Sequence, residues 1–351
     1  MDHALARGLN LALAFALIAA SPALSQDEEQ EPEPTPQERE ADKQLQFTAK
    51  FRAGLEAITR RDLPASEKLF RECLDLKQND ATCHYNLACT YSLMARVEPA
   101  VTSLRAAFQN GFNDLSHMDR DSDLDALRKA PEYRALRGEM EAKVLEGVPA
   151  ALTRLPAGEG SFPLVVYLHA DRAKPEAAFQ RLQETLGPEW GILVPQAPLD
   201  MRSGRAWDDR AEWLVSQAAR ELLAANPRAD RQRVVVAGEG LAAHRALNLM
   251  VHHPDLFTGA VAGGPYLSAG VDAELKAKGR AYLVINQADE AEADSGVEAR
   301  DRLSDGGAAV VLERYGKPNA LQSDRAVLLR ALGWATGQPV SLPGAGVELG
   351  F

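Results

Sequence analysis

The segment Arg233-Val-Val-Val-Ala-Gly238-Glu239-Gly240-Leu241-Ala242-Ala243-His244 carries a β-branched run straight through a glycine-rich turn into helix-forming residues. A strand that ends in such a turn and passes at once into a helix can hold a reactive group in the open. The apex here is Gly240, which has no side chain, and Glu239 places a carboxylate beside it. Ser203 and Ser268 lie in loop-like stretches, and neither joins a strand to a helix by a tight turn. No histidine follows His253, so an imidazole base cannot come from residues 254–351. His252-His253-Pro254-Asp255 has the composition of a metal cluster, but adjacent histidines at a helix end point to different faces. A helix-ending surface motif is expected instead. Cys73, Cys83 and Cys89 are odd in number and lack metal-ligand spacing; Cys83 and Cys89 face different directions on one helix and should not pair. No metal and no cofactor is expected.

The elements that position these residues alternate. Val148 to Leu155 and Pro163 to Leu168 read as strands separated by the turn-rich Pro156–Gly160. Further short apolar runs follow at Ile192–Val194, Val234–Ala237, Ala260–Ala262, Tyr282–Ile285 and Ala308–Leu312. Helical segments lie between them, as in Trp213–Leu223, where Leu214, Ala218 and Leu222 share a face. Asp209 and Glu212 have capping-box spacing at its start, and Trp207-Asp208-Asp209 reads as cap rather than substrate contact. Buried strands alternating with helices imply a mostly parallel sheet covered on both faces.

The strand–turn–helix of residues 233–244, with Pro254, Phe257 and the next strand, resembles the nucleophile-elbow region of the α/β-hydrolase family. The small esterase and dienelactone-hydrolase-like members are the nearest in pattern. The resemblance runs from about Val148 to Trp334. In that family the elbow reads G-x-S-x-G; here Gly238, Glu239, Gly240, Leu241 and Ala242 match, with Gly240 at the serine position. The resemblance puts Asp289, in Asn286-Gln287-Ala288-Asp289, at the acid position, where a retained turn former is an equal reading. Asn319, after Arg314-Tyr315-Gly316-Lys317-Pro318, is nearest the position of the catalytic histidine. His169-Ala170 matches the oxyanion loop, so His169 is expected as a structural loop residue rather than a base. With Ala170 and Leu241, its loop would form an anion-binding nest around the pocket of Glu239 and Gly240. Loss of nucleophile and base together implies that Ser-His-Asp chemistry cannot run.

Ahead of this lies a helical region that repeats. At a separation of 34 residues Gly54 matches Ala88, Leu63 matches Val97, Ser66 matches Ala100, Phe70 matches Leu104 and Cys73 matches Ala107. Tyr85-Asn86-Leu87-Ala88, Tyr91, Ala100, Leu104 and Ala107 resemble the tetratricopeptide (TPR) consensus, and the resemblance covers Phe47 to about Gly111. It places Phe51, Leu55, Ile58 and Tyr85 on the helix face that lines a peptide groove, or that contacts the second domain. Two repeats do not bury a continuous core alone, so Leu124 to Met140 is expected to supply a capping helix.

The first residues read as an export signal: Arg7, the apolar run Leu11–Ala20, then Ser21-Pro22-Ala23-Leu24-Ser25. The run is short for a membrane span. The mature chain is expected to begin near Gln26 in a periplasmic or extracellular setting, an uncleaved anchor being the alternative. Gln26–Lys43 holds eight acidic residues and a net −6 of the chain's −11. With Pro32, Pro34 and Pro36 it is expected as an extended tether. No basic stripe remains for nucleic acid. The expected organisation is α + α/β: signal 1–25, tether 26–43, helical repeats 44–146, hydrolase-like domain 147–336 and an irregular tail 337–351. The function expected is that of an exported, non-catalytic binding or scaffold protein. Its partners would be a protein or peptide on the repeats, or a small molecule in the vestigial pocket. The alternatives are an active hydrolase with unusual residues at His169, Glu239 and Asp289, and a pure peptide-binding adaptor.

Overall fold

The computed structural model describes residues 35–265 and 278–350. The expected signal segment, the start of the acidic tether and Ser268 lie outside the described residues. Contacts divide the chain into two units, Met1–Gln46 and Phe47–Phe351; the helical hairpins and the sheet both belong to the second. No described helix is long and apolar enough to cross a membrane.

Helix α1 (Pro36–Thr59) begins inside the stretch expected to be extended. The cause is a capping box: Thr35 Oγ1 accepts from the N–H of Glu38 at 3.2 Å, and Glu38 Oε2 accepts from the N–H of Thr35 at 2.7 Å. Pro36 sits where its missing N–H costs nothing. Residues 36–43 are therefore helical.

α1 and α2 (Leu63–Leu76) form one hairpin, α3 (Ala81–Leu93) and α4 (Val97–Gln109) a second. The two turns are the same structure repeated 34 residues apart. Arg61 and Ala95 hold φ of 58° and 56°, and the bonds Asp62 N–H to Ala57 O and Arg96 N–H to Tyr91 O close equivalent rings. Gly54 is required by close approach, since a Cβ there would stand 2.8 Å from the Phe70 ring. α5 (Leu115–Arg120) and α6 (Pro131–Leu145) then bury Leu115, Met118, Leu136 and Met140 against the hairpins.

The rest is a single eight-stranded sheet with helices on both faces. In chain order it comprises β1 (Leu152–Arg154), β2 (Phe162–Leu168), α7 (Pro175–Thr185) and β3 (Gly191–Val194). A small hairpin, β4 (Leu199–Met201) and β5 (Gly204–Ala206), precedes α8 (Ala211–Ala225) and β6 (Ala229–Glu239). Then come α9 (Leu241–His252), β7 (Gly259–Gly263), β8 (Arg280–Asn286), α10 (Glu290–Asp305) and β9 (Ala309–Tyr315). α11 (Ala320–Ser323), α12 (Arg325–Ala335) and β10 (Val347–Gly350) end the described chain. The order across the sheet is β1-β3-β2-β6-β7-β8-β9-β10. The strands from β3 to β9 are parallel, and β1 and β10 are antiparallel margins.

Side-chain alternation explains the layers. Leu164, Val166, Val234, Val236, Leu283 and Ile285 pack on one side, beneath α8, α9 and α10. Val165, Tyr167, Val235, Ala237, Tyr282 and Val284 pack on the other, beneath α7, α11 and α12. The sequence-expected strands all appear, although β1 is shorter than Val148–Leu155. The tail is a correction: Val347–Gly350 pairs with β9 through its backbone, with Glu348 held by Arg314 and Arg300.

The helical module docks on α8. Trp213 and Leu214 belong to the core of the hairpins, and the Arg137 guanidinium lies 5.6 Å from the Trp213 ring centroid. Glu212 is not the capping residue its spacing suggested, for α8 has no side-chain cap. It is drawn instead to Arg120 of α5 and to His252 (3.2 Å) and His253 (3.0 Å) at the end of α9. The two histidines thus belong to a half-buried ionic cluster rather than to a free surface.

Candidate functional site

β2 leads to β3 on one side, while the chain resumes at β6 on the other, so the direction of winding reverses between β2 and β6. In open α/β sheets the carboxyl ends of strands beside such a reversal are where ligands bind. Gly240 stands there, at the end of β6. Its φ of 60° and ψ of −126° form a backbone state that residues with a Cβ adopt only under strain. The N–H of Gly240 donates to Gly263 O at 2.8 Å, which ties the turn to β7. Gly238 serves a different need: a Cβ there would meet Ala242 O at 2.6 Å, so its absence lets α9 pack on the strand. A Cβ on Gly240, by contrast, would meet nothing within 4 Å.

That open space belongs to a pocket of about 220 Å³ lined by Glu239, Gly240, Gly263 and Gly264, with Asn286, Asp289, Glu292, Pro318 and Asn319 completing it. Gly240, Asp289 and Asn319, separated by 79 residues of sequence, are brought to one cleft. Asp289 caps α10 by accepting from the N–H of Glu292 at 3.1 Å. Asn319 takes the left-handed conformation, φ 54° and ψ 45°, which asparagine tolerates well. Among the described residues, no serine, cysteine or histidine lines this cleft.

Glu239 is 4% exposed. Its Oε1 accepts from the N–H of Leu321 at 2.9 Å, and the Gln322 side chain stands beside the same carboxyl. Burial pushes its carboxyl above the usual range. Glu292, which residue-by-residue reading overlooked, is also buried; its Oε1 accepts from the N–H of Asn286 at 2.6 Å, and burial raises its carboxyl as well. The signal available for it was Asp289-x-x-Glu292, a helix-start pattern.

His169 and Ala170 do not reach this pocket. They line a separate one of about 130 Å³ with Tyr167, Lys174 and Arg181. Both ring nitrogens of His169 are committed: Nδ1 pairs with Ala170 O at 3.0 Å, and Nε2 accepts from the N–H of Ala197 at 3.1 Å. The ring is fully buried against Trp207, at 5.0 Å between centroids, and burial pushes its pKa down. It is a structural loop residue. Leu241 projects outward and is 58% exposed. The loop bearing Ala170 is tied to β5, where Arg172 N–H donates to Arg205 O and Arg205 N–H to Ala173 O.

The four groove candidates are also separated. Tyr85 is covered by its own chain: its ring stacks on Phe112 at 4.2 Å and its hydroxyl donates to Asp121 at 2.7 Å. Phe51 and Ile58 are half-buried in the hairpin core, with Phe51 edge-on to Phe70. Leu55 remains exposed. All three cysteines are buried and free, and no cluster among the described residues has the makings of a metal site.

Fold and site together define a mostly parallel α/β sheet, with a cleft at the carboxyl end of β6, joined to a helical module. No family model matches the chain. A stretch of 52 residues is 35% identical to a chloroplastic protein from Arabidopsis thaliana, covering 15% of this chain and 16% of that protein's length. Among solved structures, an uncharacterized protein from Bacillus cereus ATCC 10987 aligns over 82% of this chain and 98% of its own, at 18% identity and a TM-score of 0.41. A carboxylesterase from Mesorhizobium loti aligns over 55% of this chain and 100% of its own, at 18% identity and a TM-score of 0.45.

Proposed function

We propose that this chain is an exported, non-catalytic binding or scaffold protein, in which tetratricopeptide-like hairpins are joined to a hydrolase-type sheet with glycine at the nucleophile position. The observation that carries this reading is the Gly240 cleft. It keeps the turn, the open space and the carboxylate of Asp289, while its lining, among the described residues, offers no hydroxyl, thiol or imidazole. Acyl transfer by a serine enzyme needs a nucleophile and a base in hydrogen-bond reach of each other. His169, the nearest residue in sequence pattern to a substitute base, has both nitrogens engaged elsewhere. The apolar run near the N-terminus supports export. Partners are a small molecule in the cleft and a protein or peptide on the hairpins.

The test is direct. Purified chain is treated with a fluorophosphonate probe and assayed on a panel of short-chain esters. Neither labelling nor turnover above buffer is expected. Ester hydrolysis that persists in clean protein and responds to substitution at Glu239 or Asp289 would replace this reading with an active hydrolase of unusual machinery.

A further inference from the structure

Cys73 lies in the last turn of α2 and Cys83 in the first turn of α3, with residues 77–80 between the two helices. Seven residues before Cys73, the Ser66 hydroxyl hydrogen-bonds the Thr90 hydroxyl at 2.9 Å, and Thr90 lies seven residues beyond Cys83. Seven residues are about two helical turns, so Ser66–Thr90 and Cys73–Cys83 are facing pairs in one antiparallel register. Both cysteines are fully buried in the hairpin core. Their thiols meet there within hydrogen-bonding reach of each other.

The third cysteine is held elsewhere. Cys89 follows Cys83 by six residues and faces another direction on α3. Its Sγ donates to Asp121 at 3.4 Å, on the carboxylate oxygen that also accepts from the Tyr85 hydroxyl at 2.7 Å. Cys73 and Cys83 therefore select each other. They also flank the join between the two hairpins, in an array too short to bury a continuous core by itself.

We infer that Cys73 and Cys83 form a disulfide site, which in an oxidising setting ties the first hairpin to the second and leaves Cys89 a thiol. The export reading supplies that setting in the cell; the geometry does not depend on it. The bond closes a loop of 11 residues and stabilises the hairpins by restricting the unfolded chain.

The oxidant is an external disulfide. One cysteine, as its thiolate, attacks a sulfur of that disulfide, forming a mixed disulfide and expelling one thiolate, which takes up a proton. The second cysteine's thiolate then breaks the mixed disulfide and expels the other thiolate, which is protonated in turn. Two protein thiols are oxidised to one disulfide, and the external disulfide is reduced to two thiols. Burial pushes both protein thiols above their ordinary range. The thiolate that the exchange needs forms while residues 77–80 are open, so the bond is made as the chain folds.

The test refolds the full chain, reduced and denatured, in glutathione with its disulfide, beside a portion refolded in dithiothreitol. Each is then unfolded, alkylated with iodoacetamide and weighed by mass spectrometry. One alkyl group is expected on the oxidised chain and three on the reduced chain. Fragmentation of the linked peptides should assign the bond to Cys73 and Cys83. Cys89→Ala should keep the bond, and Cys73→Ala should lose it and leave two alkylated cysteines. The oxidised wild type should melt about 5 °C or more above the reduced one. Should the chain not refold from denaturant, protein produced in an oxidising and in a reducing host compartment supplies the same comparison. Three alkylated cysteines after oxidative folding, a bridge through Cys89, glutathione left on Cys73 or Cys83 in place of the bridge, or a Tm that the bond does not raise would overturn the inference. Failure of the export reading shows separately, by N-terminal sequencing, and leaves these outcomes unchanged.

Discussion

At Gly240 the backbone already holds the geometry that a reactive side chain would need, and no atom of the described residues would stand within 4 Å of a Cβ there. Gly240→Ser alone should stay nearly inert, because none of the described residues lining the cleft carries an imidazole to take its proton. At most it should reach about the 10³–10⁴-fold over water that triad enzymes keep without their triad. The change also introduces about 1–3 kcal/mol of backbone strain, visible as a lower Tm. Adding Asn319→His places an imidazole on a residue that tolerates a positive φ and that shares the cleft with Asp289. The double variant should label with a fluorophosphonate where wild type and the single variant do not. An unlabelled, folded double variant would mean that positions 240 and 319 do not approach as nucleophile and base must.

Helix ends decide most of the elements that sequence reading misjudged. Glu212 has capping spacing from Asp209, yet three cationic or donor side chains from α5 and α9 outcompete the cap. Burial alone would raise its carboxyl; the bonds from His252 and His253 and the charge of Arg120 more than reverse this and hold it well below its ordinary value of 4.5. A depressed carboxyl contributes stability in full above its unfolded value and loses it as pH falls below that value. Tm should therefore drop between about pH 5 and pH 3 more steeply in wild type than in Glu212→Gln, and near pH 7 that variant should cost about 1–2 kcal/mol for a partly buried cluster. Parallel pH profiles would remove Glu212 from the account. The parallel strands were legible because alternating apolar residues serve both faces of a buried sheet, and the hairpins because small residues recur 34 apart. Thr35-x-x-Glu38 was legible too but was masked by the acidic, proline-rich composition around it. β10 could not be read: Val347–Gly350 pairs through backbone and sits among glycines and prolines. Of the site, Gly240, Asp289 and Asn319 were placed by resemblance to the elbow pattern and its partners. Glu292 was not, because its position matters only once α10 turns it toward the cleft.

On the scale of the whole molecule, the hairpins borrow part of their core from the sheet module. Trp213 and Leu214 of α8 are nearly buried among hairpin residues. Losing two such side chains forfeits about 3–6 kcal/mol, which for a fragment of ~100 residues lowers Tm by on the order of 10 °C or more. Residues 44–146 expressed alone should melt earlier and less cooperatively than the full chain, as followed by circular dichroism. A sharp transition at the full chain's Tm would mean the docking is dispensable. The two margins of the sheet have a different consequence. A parallel sheet that ended at β3 and β9 would present long rows of unsatisfied amides, which invite lateral recruitment of a strand from another molecule. Here each margin is closed by a strand of three or four residues running the other way, Leu152–Arg154 and Val347–Gly350. Arg154 turns its guanidinium onto the carbonyls of Leu186 and Gly187, and Glu348 is clasped by two arginines. Such brief, charge-bearing hems give an approaching chain little to template on, so that a sheet this broad can remain one molecule wide in a crowded compartment.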